Sequence, residues 1–157
     1  MKVNIRELDQ FLRVELGLRD NIIIHLIPSN TPGWEAQLTS PKNLGKVATS
    51  KSDPKNTFYV LYRYDLSGSK FIETISHEYV HIQQLSEKRW IPGESFQIWE
   101  GNRINLNNEE IFAKGNKKTV PWEKEAYSKE GVLTAKFLRN KKSILSSIES
   151  LINYIAA

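Results

Sequence analysis

Two histidines and a glutamate in the middle of the chain have the types and spacing needed to bind a cation and move a proton. They belong to the segment His77-Glu78-Tyr79-Val80-His81, which fits the pattern H-E-x-x-H. Residues four apart on an α-helix project from the same face, so both imidazoles can reach one metal ion. Glu78 points about 100° away from His77, where its carboxylate can act as a base without being a ligand. The segment therefore predicts a metal site with an adjacent proton acceptor.

The composition restricts which metal site this can be. The chain contains no cysteine, which excludes thiolate-zinc sites, disulfides and cysteine nucleophiles and leaves His, Asp and Glu as ligands. His25, the remaining histidine, lies on a predicted strand without partners at metal-ligand spacing, and we interpret it as structural. Two simpler interpretations of the motif stay open: His77 and His81 as a surface or capped polar pair, or as a metal site without catalysis.

A hydrolytic zinc site usually has three protein ligands and an open position for water, so the motif lacks one ligand. A downstream carboxylate is the best candidate, and Glu123 and Glu125 both stand near the start of a predicted helix. Residues two apart on a helix are rotated by about 200°, so the two carboxylates cannot both face one ion. For either acid alone, a favourable contact with the helix dipole is the simpler explanation. If Glu123 is the ligand, Glu125 is expected to face solvent and to pair with Lys129 four residues later.

With this second motif the sequence resembles the gluzincins, metallopeptidases with an HExxH helix and a third-ligand glutamate on a later helix. In thermolysin-like and related families that glutamate commonly stands in an E-x-x-(S/A) pattern, which the segment from Glu123 to Ala126 matches. The resemblance covers mainly Lys70–Glu130 and is closest to small, single-domain zincin-like proteins of bacteria and their phages. The longer metzincin motif is absent, because Gln84 and Arg89 lie in that region and no third histidine follows.

The resemblance implies a complete site. His77, His81 and Glu123 would hold one Zn²⁺, and Glu78 would be the general base that activates the attacking water. Tyr127 replaces the aspartate that usually follows the small residue of the second motif. It lies one helical turn beyond Glu123 and is a candidate for stabilising the oxyanion.

The resemblance also implies where a substrate would lie. In zincin folds the strand before the HExxH helix typically runs along the cleft and can pair with an extended peptide, which here implicates Phe58–Asp65. Tyr59, Tyr62 and Tyr64 could line that cleft, although strand side chains alternate and half of them should face the core.

Periodicity predicts the elements that position these residues. Apolar residues at helical spacing predict helices over Ile5–Leu16 and Lys70–Glu87, with Phe71, Ile75, Ile82 and Leu85 as the core face of the second. Runs of β-branched and aromatic residues predict strands over Asn21–Pro28 and Asn56–Asp65. Ser29–Lys55 is rich in turn-forming residues and predicts a loop, with a short strand around Trp34–Leu38.

The second half of the chain predicts a hairpin and two helical segments. Phe96–Leu106 is expected to turn near Glu100-Gly101-Asn102. A helix begins around Pro121, and Gly131 is a candidate for its interruption or end. The tail, Lys141–Ile155, is an amphipathic helix expected to pack on the body, with the covering of a partner surface as the alternative.

Overall composition is that of one ordinary globular domain. The chain has 157 residues, 39% hydrophobic and 25% charged, which predicts a single domain spanning residues 1–157. Neither a signal peptide nor a transmembrane segment is recognisable, so we expect no membrane insertion and a cytoplasmic location. The net charge of +4 comes from scattered lysines, which makes nucleic-acid binding the least favoured function.

The sequence therefore predicts an α+β, zincin-like fold, with a small mixed sheet, an HExxH helix and a later helix that carries the third ligand. The preferred function is hydrolysis of peptide bonds in a peptide or protein substrate, with Zn²⁺ as cofactor. The alternative is a non-catalytic, zinc-stabilised binding or regulatory domain. An intact Glu78 favours catalysis, because a purely structural zinc site is closed and needs no carboxylate beside it.

Overall fold

Three α-helices and two small sheets make up the part of the chain that the computed structural model describes, which is residues 2–38, 40, 42–107, 111 and 119–156. The elements in chain order are α1 (Ile5–Glu15), β1 (Ile23–Pro28), β2 (Gly45–Ala48), β3 (Thr57–Tyr62), α2 (Gly68–Ser86), β4 (Trp90–Ile91), β5 (Gln97–Trp99), β6 (Asn102–Ile104) and α3 (Pro121–Ala156). This order confirms the α+β class.

The first sheet has the strand order β1-β3-β2 and is mixed. Strand β1 runs parallel to β3, with Ile23 opposite Thr57, whereas β2 runs antiparallel to it, with Gly45 opposite Tyr62. β-Branched and aromatic residues fill β1 and β3, because their side chains pack well on a pleated surface. The prediction of a small mixed sheet is confirmed.

Helix α2 lies across this sheet and supplies much of the main core. Its predicted core face is confirmed: Phe71, Ile75 and Ile82 are buried, and Leu85 packs against them partly buried. Helix α1 adds Leu8 and Leu12 to the same cluster. Because this packing fixes the rotation of α2 about its axis, it also fixes where the HExxH side chains point.

The segment between β1 and β3 differs from its prediction. The expected strand around Trp34–Leu38 is a single 3₁₀ turn at Glu35–Gln37, and a strand forms instead at β2. Strand β2 was missed because four residues, Gly-Lys-Val-Ala, are too few to show a clear alternation. Pairing with β3, a tertiary contact, stabilises them as a strand.

A second sheet, β4-β5-β6, is antiparallel throughout. It contains the predicted hairpin, and its turn falls at Glu100 and Gly101, which both have positive φ. Strand β4 extends the hairpin directly after the end of α2. Trp90 on β4 stacks on Trp122 at the start of α3, with ring centroids 5.2 Å apart, so this small sheet is attached to the body beside the HExxH helix.

The last helix differs from its prediction in two ways. Gly131 does not interrupt or end it, and α3 continues for 36 residues from Pro121 to Ala156. The expected packing of Lys141–Ile155 on the body was wrong, because the large apolar side chains of that segment are all exposed, from 48% at Ile148 to 82% at Tyr154. Within the described residues, none of the helices combines the length and apolar character needed to cross a bilayer.

Candidate metal centre

Helix α2 places His77 and His81 on one buried face. Their exposed fractions are 7% and 5%, and their Nε2 atoms lie 3.1 Å apart. Side chains four apart on a helix point the same way, and the packing of α2 directs this face toward α3. The two histidines are therefore not a surface pair, and their Nε2 atoms converge on one point.

The first turn of α3 brings Glu123 to the same point. Its Oε2 is 3.0 Å from Nε2 of His77, and its Oε1 is 3.5 Å from Nε2 of His81. One donor atom from each of the three residues lies within 4.8 Å of the others. Ala126, one turn later, is fully buried where α3 meets α2, so its small side chain permits the close approach that the E-x-x-A pattern implies.

A second carboxylate on α3 orients the first histidine. Oε2 of Glu130 lies 2.6 Å from Nδ1 of His77, and this carboxylate oxygen accepts a hydrogen bond from that nitrogen. The proton is thereby held on Nδ1, and Nε2 faces the convergence point, where its lone pair can bind a metal ion once Nε2 has lost its proton. Glu130 was not among the predicted site residues, although its position seven residues after Glu123 puts both on one face of α3 after two turns.

Gln84 orients the second histidine. Its Nε2 donates to the carbonyl of Trp122 and to Glu125, both at 2.9 Å, and since these atoms can only accept, the amide orientation is fixed. Oε1 of Gln84 must then face His81, where Nδ1 donates to it over 2.9 Å. Nε2 of His81 is left with its lone pair toward the convergence point. This role of Gln84 was not predicted from the sequence, although Gln84 follows His81 by three residues on the same helix.

Glu125 is not the solvent-facing residue that was expected. It does pair with Lys129 at 2.7 Å, as predicted, but its other oxygen accepts hydrogen bonds from both Gln84 and Arg89. Burial raises the pKa of Glu125, but the bonds from Lys129, Gln84 and Arg89 outweigh it and lower the pKa to about 2. Glu125 therefore holds Gln84 in place, and Gln84 in turn contacts His81.

The convergence point is electrostatically arranged for a cation. Burial lowers the pKa of His77, but hydrogen bonds to Glu123 and Glu130 outweigh that effect and raise the pKa to about 9. Burial likewise raises the pKa of Glu123, and the bonds from His77 and His81 reverse this and lower it to about 2. These two pKa shifts favour a proton held between the imidazoles and Glu123. The atoms that hold this proton are the same atoms that would bind a metal ion.

Glu78 lies beside this cluster, under strand β2. It is buried, and a Cβ added to Gly45 would lie 2.9 Å from its Oε1, so a larger residue at this position would force the carboxylate to shift. Glu78 and His77 both line two adjoining cavities, a largely apolar one of about 350 Å³ and a more polar one of about 290 Å³. The predicted base therefore stands at the junction of two spaces that adjoin the donor cluster.

The predicted Tyr127 also lies at the site. Its ring meets that of His77 edge to face, with centroids 4.7 Å apart, and it lines the more polar cavity together with Glu78 and Glu130. Burial raises the pKa of Tyr127, and the carboxylates of Glu123, Glu130 and Glu78 raise it further, so its phenol keeps its proton at neutral pH.

His25 lies apart from this cluster. It is on β1 and stacks on Tyr59 of β3, with ring centroids 5.1 Å apart, which agrees with its interpretation as a structural residue.

The strand that borders the site is β2 rather than β3. Strand β3 is paired on both sides, so the expectation that Phe58–Asp65 runs along the cleft was wrong. Tyr62 is buried in the core, Tyr59 stacks on His25, and Tyr64 is 63% exposed beyond the end of β3. Gly45 and Val47 of β2 line the apolar cavity instead.

The free edge of β2 can be located from its hydrogen bonds. The amide of Arg63 donates to the carbonyl of Leu44, and bonded and unbonded pairs alternate along an antiparallel ladder. Lys46 and Ala48 therefore bond to β3, while the N–H and C=O groups of Gly45 and Val47 point away from it. Among the described residues, no strand pairs with that edge.

The residues present fit a zinc ion. Two imidazole nitrogens and one carboxylate oxygen are a common ligand set of hydrolytic zinc sites, and they leave a coordination position for water. Both histidines have their Nδ1 protons held by outer partners, as ligating histidines generally do. A buried carboxylate between two imidazoles also needs a positive charge for balance. In comparisons with protein-family models, curated proteins and solved structures, nothing matches the chain.

Proposed function

We propose that this protein is a zinc-dependent metallopeptidase of the gluzincin type with a zincin-like fold. The observation that carries the proposal is the convergence of His77, His81 and Glu123, with donor atoms within 4.8 Å, at a cavity that Glu78 also lines. The orientation of the two imidazoles by Glu130 and by Gln84 supports it, because both Nε2 lone pairs are presented to one point.

The chemistry divides between the metal and the chain. When bound, zinc lowers the pKa of a water ligand toward neutrality and polarises the carbonyl of a peptide bond. Glu78 accepts a proton from the attacking water and returns it to the leaving amine, so no side chain forms a covalent intermediate. The phenol of Tyr127, which stays protonated at neutral pH, donates to the oxyanion that develops on the attacked carbonyl.

The substrate is a peptide or protein segment that adds to the edge of β2 in extended form. The outward N–H and C=O groups of Gly45 and Val47 offer main-chain hydrogen bonds to it. This position places the peptide backbone over Glu78, which lies directly beneath Gly45. The apolar cavity beside the cluster, walled by Leu85, Trp90 and other residues, accommodates a side chain next to the scissile bond.

Zinc content tests the metal site. We expect about one zinc per chain in the purified protein, and loss of most of it in His77→Ala and in His81→Ala, because each change removes one of three ligands. The matched control is His25→Ala, which removes the histidine that lies on β1 and should keep its zinc. Elemental analysis decides this, and full zinc content in both ligand variants would refute the site.

The variant Glu78→Gln tests catalysis separately from metal binding. The amide keeps the shape of the side chain but cannot accept a proton, so cleavage of a peptide library should stop while zinc is retained. Glu87→Gln, at the exposed end of α2, is the control that should cleave like the wild type. A wild type that binds zinc but cleaves nothing would favour the alternative function, a zinc-stabilised binding domain. Cleavage by the Glu78→Gln variant at the wild-type rate would exclude Glu78 as the base.

A further inference from the structure

The second half of α3 carries an exposed apolar surface that the proposed catalytic function does not use. Phe137 is the last buried residue of the helix, and α3 then continues to Ala156. Six large aliphatic side chains on this extension have exposed fractions between 48% and 74% and are defined here as the apolar stripe: Ile144, Leu145, Ile148, Leu151, Ile152 and Ile155. Monomeric proteins rarely leave a contiguous apolar surface of this extent in water.

The spacing of the stripe is that of a coiled-coil seam. Ile144, Ile148, Leu151 and Ile155 follow one another at intervals of four, three and four residues, the a/d pattern of a heptad. Leu145 and Ile152 are the residues that follow the two d positions and widen the stripe on one side. A seam of this kind fits the matching seam of another helix, rather than the flat face of a sheet.

The seam is complementary to itself in the antiparallel direction. When two copies are aligned with Ile144 of one opposite Ile155 of the other, Ile148 falls opposite Leu151, and every a residue meets a d residue. The same alignment brings the end of one helix beside Ile144 of the other. There an apolar groove between α1 and α3, lined by Phe11 and Val14, adjoins the stripe.

The charges on the extension favour the same direction. Its charged residues are Arg139, Lys141 and Lys142 at the start and Glu149 near the middle, and none of them belongs to the stripe. A parallel pair would place the lysines of the two copies side by side, and like charges in contact destabilise an interface. An antiparallel pair separates them by roughly the length of the extension, about 20 Å.

The area is also sufficient for a stable pair. Each of the six side chains offers on the order of 100 Å² of apolar surface. Two copies therefore bring together up to about 1,200 Å², which exceeds the ~1,000 Å² expected of a specific interface. The stripe contains no charged side chain through which a different partner would be selected. We propose that two copies of this chain form a homodimer through an antiparallel pairing of their α3 extensions.

Light scattering coupled to size-exclusion chromatography, together with sedimentation velocity, tests the dimer. The wild type should have twice the mass of the chain, and the variant Ile148→Asp/Leu151→Asp should be a monomer with the same helical circular dichroism. The control is Val132→Asp, which changes a 66% exposed residue on the opposite side of the same helix and should remain a dimer. A monomeric wild type, including one that instead binds phosphatidylcholine vesicles, or a dimer that survives the double substitution, would overturn the proposal.

Cysteine pairing tests the direction, because the natural chain has no cysteine to interfere. A mixture of Ile144→Cys and Ile155→Cys should give a disulfide-linked heterodimer under mild oxidation, whereas each variant alone should stay largely unlinked. Efficient linking of either variant to itself, without linking in the mixture, would mean a parallel pair and would overturn the antiparallel assignment.

Discussion

Removing the amide that orients His81 should weaken zinc binding without removing any ligand. Gln84 is fully buried and makes three hydrogen bonds of 2.9 Å, to His81, Trp122 and Glu125. Gln84→Met keeps the length and volume of the side chain and deletes all three. Glu125 retains its bonds to Arg89 and other groups, so the largest consequence falls on Nδ1 of His81.

The size of the effect follows from these contacts. Among the described residues, Nδ1 of His81 has Gln84 as its hydrogen-bond partner, and a buried donor left without one costs about 1–3 kcal/mol. Loss of an outer partner of a metal ligand typically weakens affinity by about 10–100-fold. A tenfold change in affinity corresponds to about 1.4 kcal/mol, so the cost of the unpaired donor and the loss of zinc affinity lie in the same energy range. We therefore expect a zinc affinity about 10–100-fold weaker than that of the wild type, and an apo protein that is also less stable.

The neighbouring Gln83 provides the control. It donates to the carbonyl of Leu16 at 2.8 Å and accepts from Lys129 at 3.3 Å, and the hydrogen bonds of the two histidines go to other residues. Gln83→Met should therefore lower the free energy of unfolding by about 1 kcal/mol and leave zinc affinity unchanged. Zinc titration against a competing chelator and urea unfolding of both apo variants separate the two effects. Equal zinc affinity in Gln84→Met and Gln83→Met would refute the role assigned to Gln84.

Four further substitutions test other parts of the site. Loss of an outer partner of a metal ligand weakens zinc affinity by up to ~100-fold. Glu123→Gln should weaken it by more than this, and Glu125→Gln should weaken it by less. The reverse order in a zinc titration would make Glu125 the ligand. Glu130→Leu should weaken zinc binding by about 10–100-fold, and an unchanged affinity would show that the bond to the first histidine is incidental. Gly45→Ala should retain zinc but lower kcat, because its new Cβ would lie 2.9 Å from the carboxylate of Glu78; an unchanged kcat would show that Glu78 can shift at no cost to catalysis.

Features with a local signal along the chain could be predicted from the sequence. Helix α1 and the core face of α2 followed from the 3.6-residue period of their apolar residues, and strands β1 and β3 followed from runs of β-branched and aromatic residues. Strand β2 has too few residues for a period, and its existence depends on pairing with β3. For the same reason the sequence did not predict that β2 borders the site. The position of β2 at the edge depends on the strand order of the whole sheet.

The end of α3 shows how a correct local prediction can have the wrong tertiary consequence. Its amphipathic period was recognised, but a period shows only that a face is apolar, not what covers that face. Gly131 lowers helix propensity by about 1 kcal/mol relative to alanine, which is too little to end a helix held by its neighbours. The structure leaves the apolar face of the extension exposed, and that exposure could not be read from the spacing.

Spacing along the chain was enough to identify which residues could form the candidate metal centre. One helical turn groups His77, Glu78 and His81. Glu123 and Glu125 were alternatives for the third ligand, because residues two apart on a helix cannot both face one ion. The E-x-x-A resemblance favoured Glu123, but only the packed fold shows its carboxylate beside the two histidines, because 42 residues and a second sheet separate it from His81 along the chain. The roles of Glu130 and Gln84 in fixing the two imidazoles required it as well. Helical geometry links residues within a few turns, whereas contacts between helices depend on how the whole core packs.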